Sequence, residues 1–246
     1  MNYILDVHCH TVSSGHAYST VFENAAHAAS IGLTHIGISD HAPAMPGGAH
    51  IYHFYNLHTL PAVIHNIRVF RGVELNILDH NGKVDLPDEV LAKMEYVIAS
   101  VHGDTRDDNI KPGDKHKNTL AITKAMENPN IHIIGHPTNA WYEVDIPAIV
   151  KAAAKTKTIL EINNCSLKPA SYRYNGDGDT IELIRLCMEY DVQILVSSDA
   201  HFCTDVGNFG RAKELVEAAN FPAKLIVNTC AERFLSAIKA KRNGHK

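Results

Sequence analysis

The sequence predicts an α/β fold in which parallel strands alternate with helices. Short apolar runs, which are typical of strands buried on both faces, recur along the chain. The segments between these runs have helical patterns. Because 45% of the 246 residues are hydrophobic and no linker or low-complexity stretch divides them, we expect a single domain over residues 1–246.

Seven units of strand and helix follow one another, and one more helix ends the sequence. The strands are predicted at 3–8, 34–39, 68–75, 96–101, 131–135, 158–163 and 192–198. The helices are predicted near 21–31, 55–65, 87–93, 117–127, 145–156, 179–190 and 207–219, with the last at about 230–242.

Capping signals justify several helix ends. Gly32 follows the first helix, where a left-handed residue commonly ends an α-helix. Asn118 and Thr119 open the fourth helix. Asp145 precedes Pro147 in the first turn of the fifth, where proline costs no hydrogen bond.

Further local sequence signals predict a helix cap, a hairpin turn and the loops that border a site. Thr229 and Glu232 have the spacing of a capping box for the last helix, and Asn81-Gly82 indicates a hairpin turn after the third strand. Loops after parallel strands gather at one edge of a barrel, where sites are built. The irregular segments expected at that edge are 42–54, 103–117 and 164–178.

Composition argues against several classes of protein. The net charge is −4 and no basic cluster is present, so neither a nucleic acid nor an anionic membrane is expected as the main partner. The five cysteines form no Cys-x-x-Cys pair and suit a reducing cytoplasm. The sequence shows no export signal and no apolar run long enough to span a membrane. We therefore expect a cytoplasmic protein with a small diffusible substrate, and the sequence leaves its oligomeric state open.

The end of the first strand carries the strongest chemical signal. His8 and His10 are separated by one residue, so their side chains point the same way and can hold one metal ion together. Cys9 points to the opposite face and is expected in the core. His16 follows a short distance along the chain.

Other predicted strands also end in potential metal ligands. Imidazoles and carboxylates gathered at one edge would repel one another or stay unsatisfied without a cation. They exceed the ligand need of one tetrahedral ion, so two or three ions are expected. The predicted ligands are His8, His10, His16, His41, Glu74, His102, His136, Asp199 and His201. The remaining histidines are expected at the surface or in ordinary hydrogen bonds.

These motifs together resemble those of the PHP family, named for polymerase and histidinol phosphatase. The resemblance runs from residue 6 to about 201, covers all nine metal-ligand positions of the family, and is closest to its small stand-alone bacterial phosphatases with three zinc ions. It implies a distorted (β/α)7 barrel, similar to a TIM barrel, which agrees with the seven units. The matching motifs are His8-Cys9-His10, His16, Asp40-His41, Glu74, His102, Gly135-His136-Pro137 and Ser198-Asp199-Ala200-His201.

The resemblance also implies which residues share an ion. The first ion would be held by His8, His10 and Asp199, the second by His102 and His136 with Glu74 as the bridge between them, and the third by His16, His41 and His201. Histidine-rich ligation favours zinc, with manganese or iron possible where carboxylates share the site.

The expected reaction is hydrolysis of a phosphate monoester. A hydroxide bridging the ions joined by Glu74 would attack phosphorus in line, since even one zinc ion lowers the pKa of bound water to about 7. Asp199, Asp40 or a metal-bound histidine would protonate the leaving alcohol, and the sequence does not choose between them. Asp40 could also bind a metal or orient a ligand histidine.

Two residues after the sixth strand are candidates for substrate binding. Asn163 could donate to the substrate or to groups around the ligands, and Arg173 could clamp two phosphate oxygens. The alternatives are an amide that structures its loop and an ordinary surface arginine.

Three other functions remain open at this point. An amidohydrolase-type enzyme also uses His-x-His, although that family typically bridges its metals with a lysine where this sequence has Glu74. A PHP-type nuclease would be expected to show an electropositive groove. A metal-binding protein without activity is the third alternative, because family membership does not guarantee catalysis.

Overall fold

A computed structural model describes residues 1–103 and 113–244. The predicted irregular segment 103–117 falls mainly outside the described residues. The strands are β1 (Leu5–Asp6), β2 (His35–Ile38), β3 (Val63–Ile64), β4 (Ile67–Arg71), β5 (Glu74–Asn76), β6 (Ile98–Ser100), β7 (Ile133–Ile134), β8 (Ile159–Asn163) and β9 (Ile194–Ser197).

Eight α-helices lie in the described part of the chain, most of them between consecutive strands. They are α1 (Val21–Ser30), α2 (Ile51–Asn56), α3 (Asp88–Leu91), α4 (Lys115–Ala125), α5 (Ile146–Thr156), α6 (Gly178–Glu189), α7 (Gly210–Ala218) and α8 (Ala231–Asn243). Within the described residues, none of these helices combines the length and the apolar composition that a membrane span requires.

The strands form two sheets, with the orders β1-β2-β4-β3 and β5-β6-β7-β8-β9. Every pair is parallel except β3 with β4. Single bridges join the sheets at both seams, from His41 to Glu74 and from Cys9 to Ala200. The sheets therefore enclose a distorted barrel with seven strand positions, β4 and β5 sharing one of them, and the predicted fold class is confirmed.

The third predicted strand, 68–75, is wrong as a single element. β4 ends at Arg71 and β5 begins at Glu74, in the other sheet. Tyr96 packs beside this break, where a Cβ on Gly72 would lie 2.3 Å from its ring and a Cβ on Gly37 would lie 2.3 Å from its hydroxyl. This approach requires glycine at both positions, and no local pattern announces it.

The predicted helix at 55–65 is also wrong. The helix α2 ends at Asn56, and β3 pairs with β4 as a hairpin. Pro61 lacks the N–H that a helix interior needs. His65 and Asn66 have φ values of 50° and 62°, as a two-residue hairpin turn requires.

The structure confirms two of the predicted helix ends and contradicts one predicted helix start. Gly32 has a φ of 83° just after α1, and the Asp145 side chain accepts from the N–H of Ala148 at 3.0 Å, so both predicted ends are confirmed. The start predicted at Asn118 is wrong, because α4 begins at Lys115 with Asp114 as its cap.

The predicted capping box of the last helix is wrong as well. The Thr229 hydroxyl donates to the Ile226 carbonyl at 2.9 Å instead of capping α8. A capping box is present at α1, where the Thr20 N–H donates to Glu23 Oε2 at 2.7 Å. The turn at 81–82 is confirmed, since Ile77 and Val84 form an antiparallel bridge.

Two apolar clusters support the site. One packs the helices against the outward faces of the strands. The other lies between the inward faces and α8, and includes Leu5, Phe70, Tyr96, Leu195 and Phe234. The helix α8 covers this end of the barrel, and a cavity lies over the predicted ligands at the carboxyl ends of the strands.

Candidate metal centre

The inward faces of the strands change from apolar to polar toward their carboxyl ends. Alternate residues of a strand share a face, so each strand presents a series of side chains to the interior. The first member belongs to the apolar cluster at α8, and the later members carry hydroxyl, carboxylate, amide or imidazole groups. These series are Ile98 and Ser100 of β6 with His102 just after it, Ile159, Glu161 and Asn163 of β8, and Leu195 and Ser197 of β9 with Asp199 just after it.

Glu74 lies at the centre of the predicted ligands and is fully buried. Its Oε1 accepts from the Ser100 hydroxyl at 2.6 Å. Five imidazoles surround the carboxylate, at distances of 2.9 to 3.5 Å between ring nitrogen and oxygen. They belong to His8, His10, His41, His102 and His136.

Asp199 brings the remaining strand end into the same cluster. Its Oδ1 lies 3.2 Å from His10 Nε2 and 3.5 Å from His8 Nε2. The bridge between Cys9 and Ala200 aligns the two segments, since the His10 N–H donates to the Ala200 carbonyl at 2.8 Å. The paired segments therefore deliver their ligands to one place.

Three imidazoles form the outer part of the cluster. The His16 ring lies 4.9 Å from the rings of both His41 and His201. The His10 ring lies 4.3 Å from the same two rings. All nine predicted ligands thus lie in one connected group. His10 lies closer to His201 than the division of ligands implied by the family resemblance would suggest, because their ring centroids are 4.3 Å apart.

Three overlapping triads within this group bring ligand atoms within 4.8 Å of one another in the described residues. The triads are His10, His41 and His201; His8, His10 and Glu74; and His41, Glu74 and His102. Such spacing allows three atoms to share one cation.

Hydrogen bonds orient four of the imidazoles. Each places Nδ1 beside an acceptor, so that the proton is assigned to Nδ1 and the Nε2 lone pair is left for a cation. The distances from Nδ1 to the acceptor are 2.5 Å from His8 to Glu161 Oε1 and 3.2 Å from His10 to Ser14 Oγ. They are 2.8 Å from His102 to Asn76 Oδ1 and 3.0 Å from His201 to the Asp199 carbonyl oxygen.

Several buried ligand atoms have no hydrogen-bond partner among the described residues. They are His8 Nε2, His10 Nε2, His41 Nδ1, His136 Nδ1 and Glu74 Oε2. Leaving buried polar atoms unpaired is costly, and the same nitrogen and oxygen atoms are suitable ligands for divalent cations. The residues present therefore fit a metal centre.

Electrostatic interactions within the cluster lower the pKa of its two carboxylates and so favour the ionised form, which is the form that binds metal. Burial alone would raise the pKa of Glu74, but His8, His102 and His41 hold it well below its usual range. Burial likewise opposes ionisation of Asp199, and His8 and Arg173 lower its pKa well below normal. Both carboxylates are therefore ionised at neutral pH.

The surroundings of the imidazoles shift their pKa values in opposite directions. Burial, with the neighbouring His41 and His201, lowers the pKa of His10 well below normal and that of His16 to about 4, so both rings are neutral and able to bind metal. Burial opposes the charged form of His8, but the nearby carboxylates, led by Glu161, raise its pKa. A cation bound at His8 would displace that proton.

Glu161 is a functional residue that the sequence analysis missed. Both oxygens are saturated, because Oε1 accepts from His8 and Ser197 and Oε2 accepts from the His136 N–H and from Asn163. The carboxylate therefore holds the ring of His8 and the backbone of His136 in place. A signal was present, since an acid within the apolar run of β8 must be paired when it is buried.

Asp40 lies behind the ligands. Its carboxylate accepts from the Thr11 N–H and from the Thr11 and Ser14 hydroxyls at 2.7 to 2.8 Å, with His53 Nε2 at 3.3 Å. Ser14 in turn contacts His10 Nδ1. Of the roles left open for Asp40, this geometry favours orientation of a ligand through Ser14.

The two candidates for substrate binding differ in position. Asn163 uses its amide on Glu161 and Asp199 and its carbonyl oxygen on Ser166, so its polar atoms are engaged. Arg173 donates from Nη2 to Asp199 Oδ2 at 2.7 Å, lines the cavity above the ligands, and has a buried Nε without a partner among the described residues. The geometry therefore favours Arg173 for contact with a substrate.

A cavity of about 410 Å³ opens over the cluster. It is lined by His16, His41, Met45, Pro46, Glu74, His102, Gly103, His136, Tyr172, Arg173, Asp199 and His201. Two of these ligands hold a left-handed backbone, with φ of 28° at His136 and 54° at Asp199, a conformation that is uncommon outside glycine.

Comparison with known proteins is consistent with this arrangement. The family model described as PHP domain matches residues 6–167. A protein from Caldicellulosiruptor saccharolyticus named probable phosphatase is 44% identical over 235 residues, which cover 96% of this chain and 95% of the relative. Another probable phosphatase, from Clostridium novyi, is 39% identical over 241 residues, covering 98% and 96%.

One solved structure with a similar fold is histidinol phosphate phosphatase from Lactococcus lactis, complexed with zinc, L-histidinol and phosphate. Its TM-score is 0.63 at 18% identity, and the match covers 89% of this chain and 95% of that chain. At this level of identity the likeness supports the shared fold alone.

Proposed function

This chain belongs to the PHP domain family, and on that premise we propose that it is a metal-dependent phosphatase acting on a small phosphorylated metabolite. We treat residues 1–246 as one phosphoesterase domain. The five free cysteines fit a reducing compartment such as the cytoplasm.

The convergence of unpaired ligand atoms beneath an open cavity carries the proposal. Buried nitrogen and oxygen atoms surround Glu74, and four imidazoles are oriented with Nε2 free. Above them, the positively charged side chain of Arg173 lines the cavity. Cations below and a guanidinium above suit the dianionic phosphoryl group.

We propose three ions in this centre, with zinc favoured by the histidine-rich ligands and manganese or iron as alternatives. The number and the division follow the family resemblance. The proposed ligands are His8, His10 and Asp199 for the first ion, His102 and His136 for the second with Glu74 shared between them, and His16, His41 and His201 for the third.

Bound divalent ions supply charge for the phosphoryl oxygens and a nucleophile from water at neutral pH. The side chains of the protein do the rest. Arg173 would bind a phosphoryl oxygen through the part of its guanidinium that lines the cavity while Nη2 stays on Asp199, which keeps that carboxylate ionised and close to His8 and His10. Glu161 holds His8 from Nδ1, and we assign Asp40 a positioning role through Ser14.

A substrate panel coupled to metal analysis tests this function. We expect phosphate release from an aryl phosphate and from several small phosphate monoesters, loss of activity after verified metal removal, and recovery on adding zinc. Activity that survives metal removal would disprove the mechanism. Turnover of an amide or lactone without phosphate release would favour an amidohydrolase-type enzyme, cleavage of single-stranded nucleic acid a nuclease, and metal uptake without turnover a binding protein.

A further inference from the structure

An exposed aromatic side chain at the cavity and a second one packed against it have no role in the proposed phosphatase chemistry. Tyr172 lines the cavity and is 63% exposed, and Trp141 is 53% exposed. Their ring centroids lie 5.7 Å apart at an interplanar angle of 82°, which is an edge-to-face contact. Large aromatic surfaces gain free energy when a ligand removes them from water, so this pair forms a surface suited to contact with a substrate.

The two rings are held in place by the loops that also carry the site. The guanidinium carbon of Arg173 lies 5.7 Å from the Tyr172 ring centroid, and the same guanidinium is fixed by Asp199. The Ala140 N–H donates to the Arg173 carbonyl at 3.1 Å, which ties the segment of Trp141 to that of Tyr172. An ordered ring loses little conformational entropy when a ligand stacks on it.

Apolar side chains also contribute to the wall of the cavity. Met45 and Pro46 line it together with Tyr172, whereas its floor consists of imidazoles and carboxylates. A ligand that fills this space therefore needs one strongly anionic end and one apolar end. A planar ring suits the apolar end, because aromatic rings stack on tyrosine and make favourable contacts with the sulfur of methionine.

We propose that Tyr172, supported by Trp141, determines specificity by stacking against a planar aromatic ring in the leaving group of the phosphate ester. This inference rests on the proposed phosphatase function. The phosphoryl group lies on the floor beside Arg173, and the ring of the leaving group covers the exposed surface of Tyr172.

A matched pair of substrates isolates the ring. 2-Phenylethyl phosphate and 2-cyclohexylethyl phosphate have the same phosphoryl group, the same two-carbon spacer and the same ring size, and differ in planarity and aromaticity. For the zinc-loaded protein we expect kcat/KM to favour the phenyl ester by about 2- to 10-fold, mainly through KM, as an aromatic pair contributes.

Variants then locate the source of this preference. Tyr172→Ala should remove it while changing hydrolysis of the cyclohexyl ester much less, and Tyr172→Phe should keep it, because the ring and not the hydroxyl is responsible. Trp141→Ala should reduce it in part. Phe22→Ala is the matched control, since Phe22 is an exposed aromatic on α1 that contacts His65 and lies outside the cavity lining, and it should leave the preference unchanged.

Fluorescence gives a readout that does not depend on turnover. Trp141 is the single tryptophan of the chain, so its emission reports on this region alone. Titration with 2-phenylethylphosphonate, which is not hydrolysed, should change the emission at lower concentration than titration with 2-cyclohexylethylphosphonate. Tyr172→Ala should abolish the difference between the two phosphonates.

The outcomes separate this inference from the function on which it rests. Hydrolysis of both esters with equal kcat/KM, or an equal loss for both in Tyr172→Ala, would overturn the role of Tyr172 and leave the phosphatase function standing. Hydrolysis of neither ester, with phosphonate binding that still prefers the phenyl ring and depends on Tyr172, would instead overturn the phosphatase function and support the aromatic contact.

Discussion

Glu74 and Glu161 are both fully buried on the inward face of the barrel, but their surroundings differ. Glu161 accepts four hydrogen bonds, which engage both oxygens. Glu74 faces five imidazoles, and its Oε2 has no donor among the described residues. The difference separates two functions of a buried acid: a saturated carboxylate holds other side chains in place, and an unsaturated one among imidazoles is suited to bind a cation.

The largest effect is expected for Glu74→Ala. Removing the carboxylate that contacts five of the predicted ligands should lower kcat/KM by at least about 10³-fold and reduce the bound metal, because the proposed ions would supply several kcal/mol of transition-state stabilisation. Steady-state kinetics and elemental analysis of the same preparation measure both. A variant with unchanged stoichiometry and rate would contradict the central role of Glu74.

Glu161→Gln should cause a smaller loss of activity than Glu74→Ala. Glutamine keeps one acceptor oxygen and places an NH₂ group against two of the four donors, so His8 and His136 lose part of their orientation. Groups that orient metal ligands typically contribute 10- to 100-fold to affinity or activity. We expect a loss of that size with normal metal content at saturating zinc. If this variant lost as much metal as Glu74→Ala, the distinction between the two carboxylates would fail.

Asp40 extends the comparison to stability and pH. Burial opposes its ionisation, but hydrogen bonds from His53, Ser14 and Thr11 lower its pKa from 3.8 to about 2. Because the pKa is lower in the folded state, this stabilisation, about 2 kcal/mol, is present above 3.8 and is lost as the pH falls through about 2.

Urea unfolding of the wild type and Asp40→Asn across this pH range tests the prediction. The difference in unfolding free energy should be largest near neutral pH and should decrease as the carboxylate of the wild type becomes protonated. A difference that stays constant down to about pH 2 would show that the charge of Asp40 does not contribute.

The smallest effects are expected from two matched serines. The Ser100 hydroxyl donates to Glu74 and the Ser197 hydroxyl donates to Glu161, both at 2.6 Å. Ser100→Ala should lower kcat/KM about tenfold, the lower end for groups that orient metal ligands, whereas Ser197→Ala should cost only about two- to threefold because Glu161 keeps three other donors. Equal losses in the two variants would argue against any difference in how the carboxylates are supported.

Much of the fold could be predicted from the sequence because parallel strands buried on both faces read as short apolar runs. The break between β4 and β5 could not, since it depends on Tyr96 approaching Gly37 and Gly72 from a distant part of the chain. The apolar residues of the β3 hairpin have helical spacing and therefore predict a helix, whereas the left-handed turn at His65 and Asn66 pairs β3 with β4.

The ligand positions could be predicted from the sequence because they follow strands, and the carboxyl ends of parallel strands meet at one edge of the barrel. The residues behind them were harder to identify. Glu161 lies inside an apolar run rather than at its end, and Asp40 acts through the hydroxyl of Ser14, a residue type that carries no distinctive sequence signal. Their roles depend on which side chains the fold brings next to them.

The left-handed backbone at His136 and Asp199 bears on how a cation would bind in the proposed centre. Such conformations persist only where the surrounding structure enforces them, here through the Glu161 contact with the His136 N–H and the Arg173 contact with the Asp199 carboxylate. We therefore expect these two residues to be preorganised. Binding of a cation would then exchange part of its water shell for side-chain atoms without rearranging the backbone at His136 or Asp199.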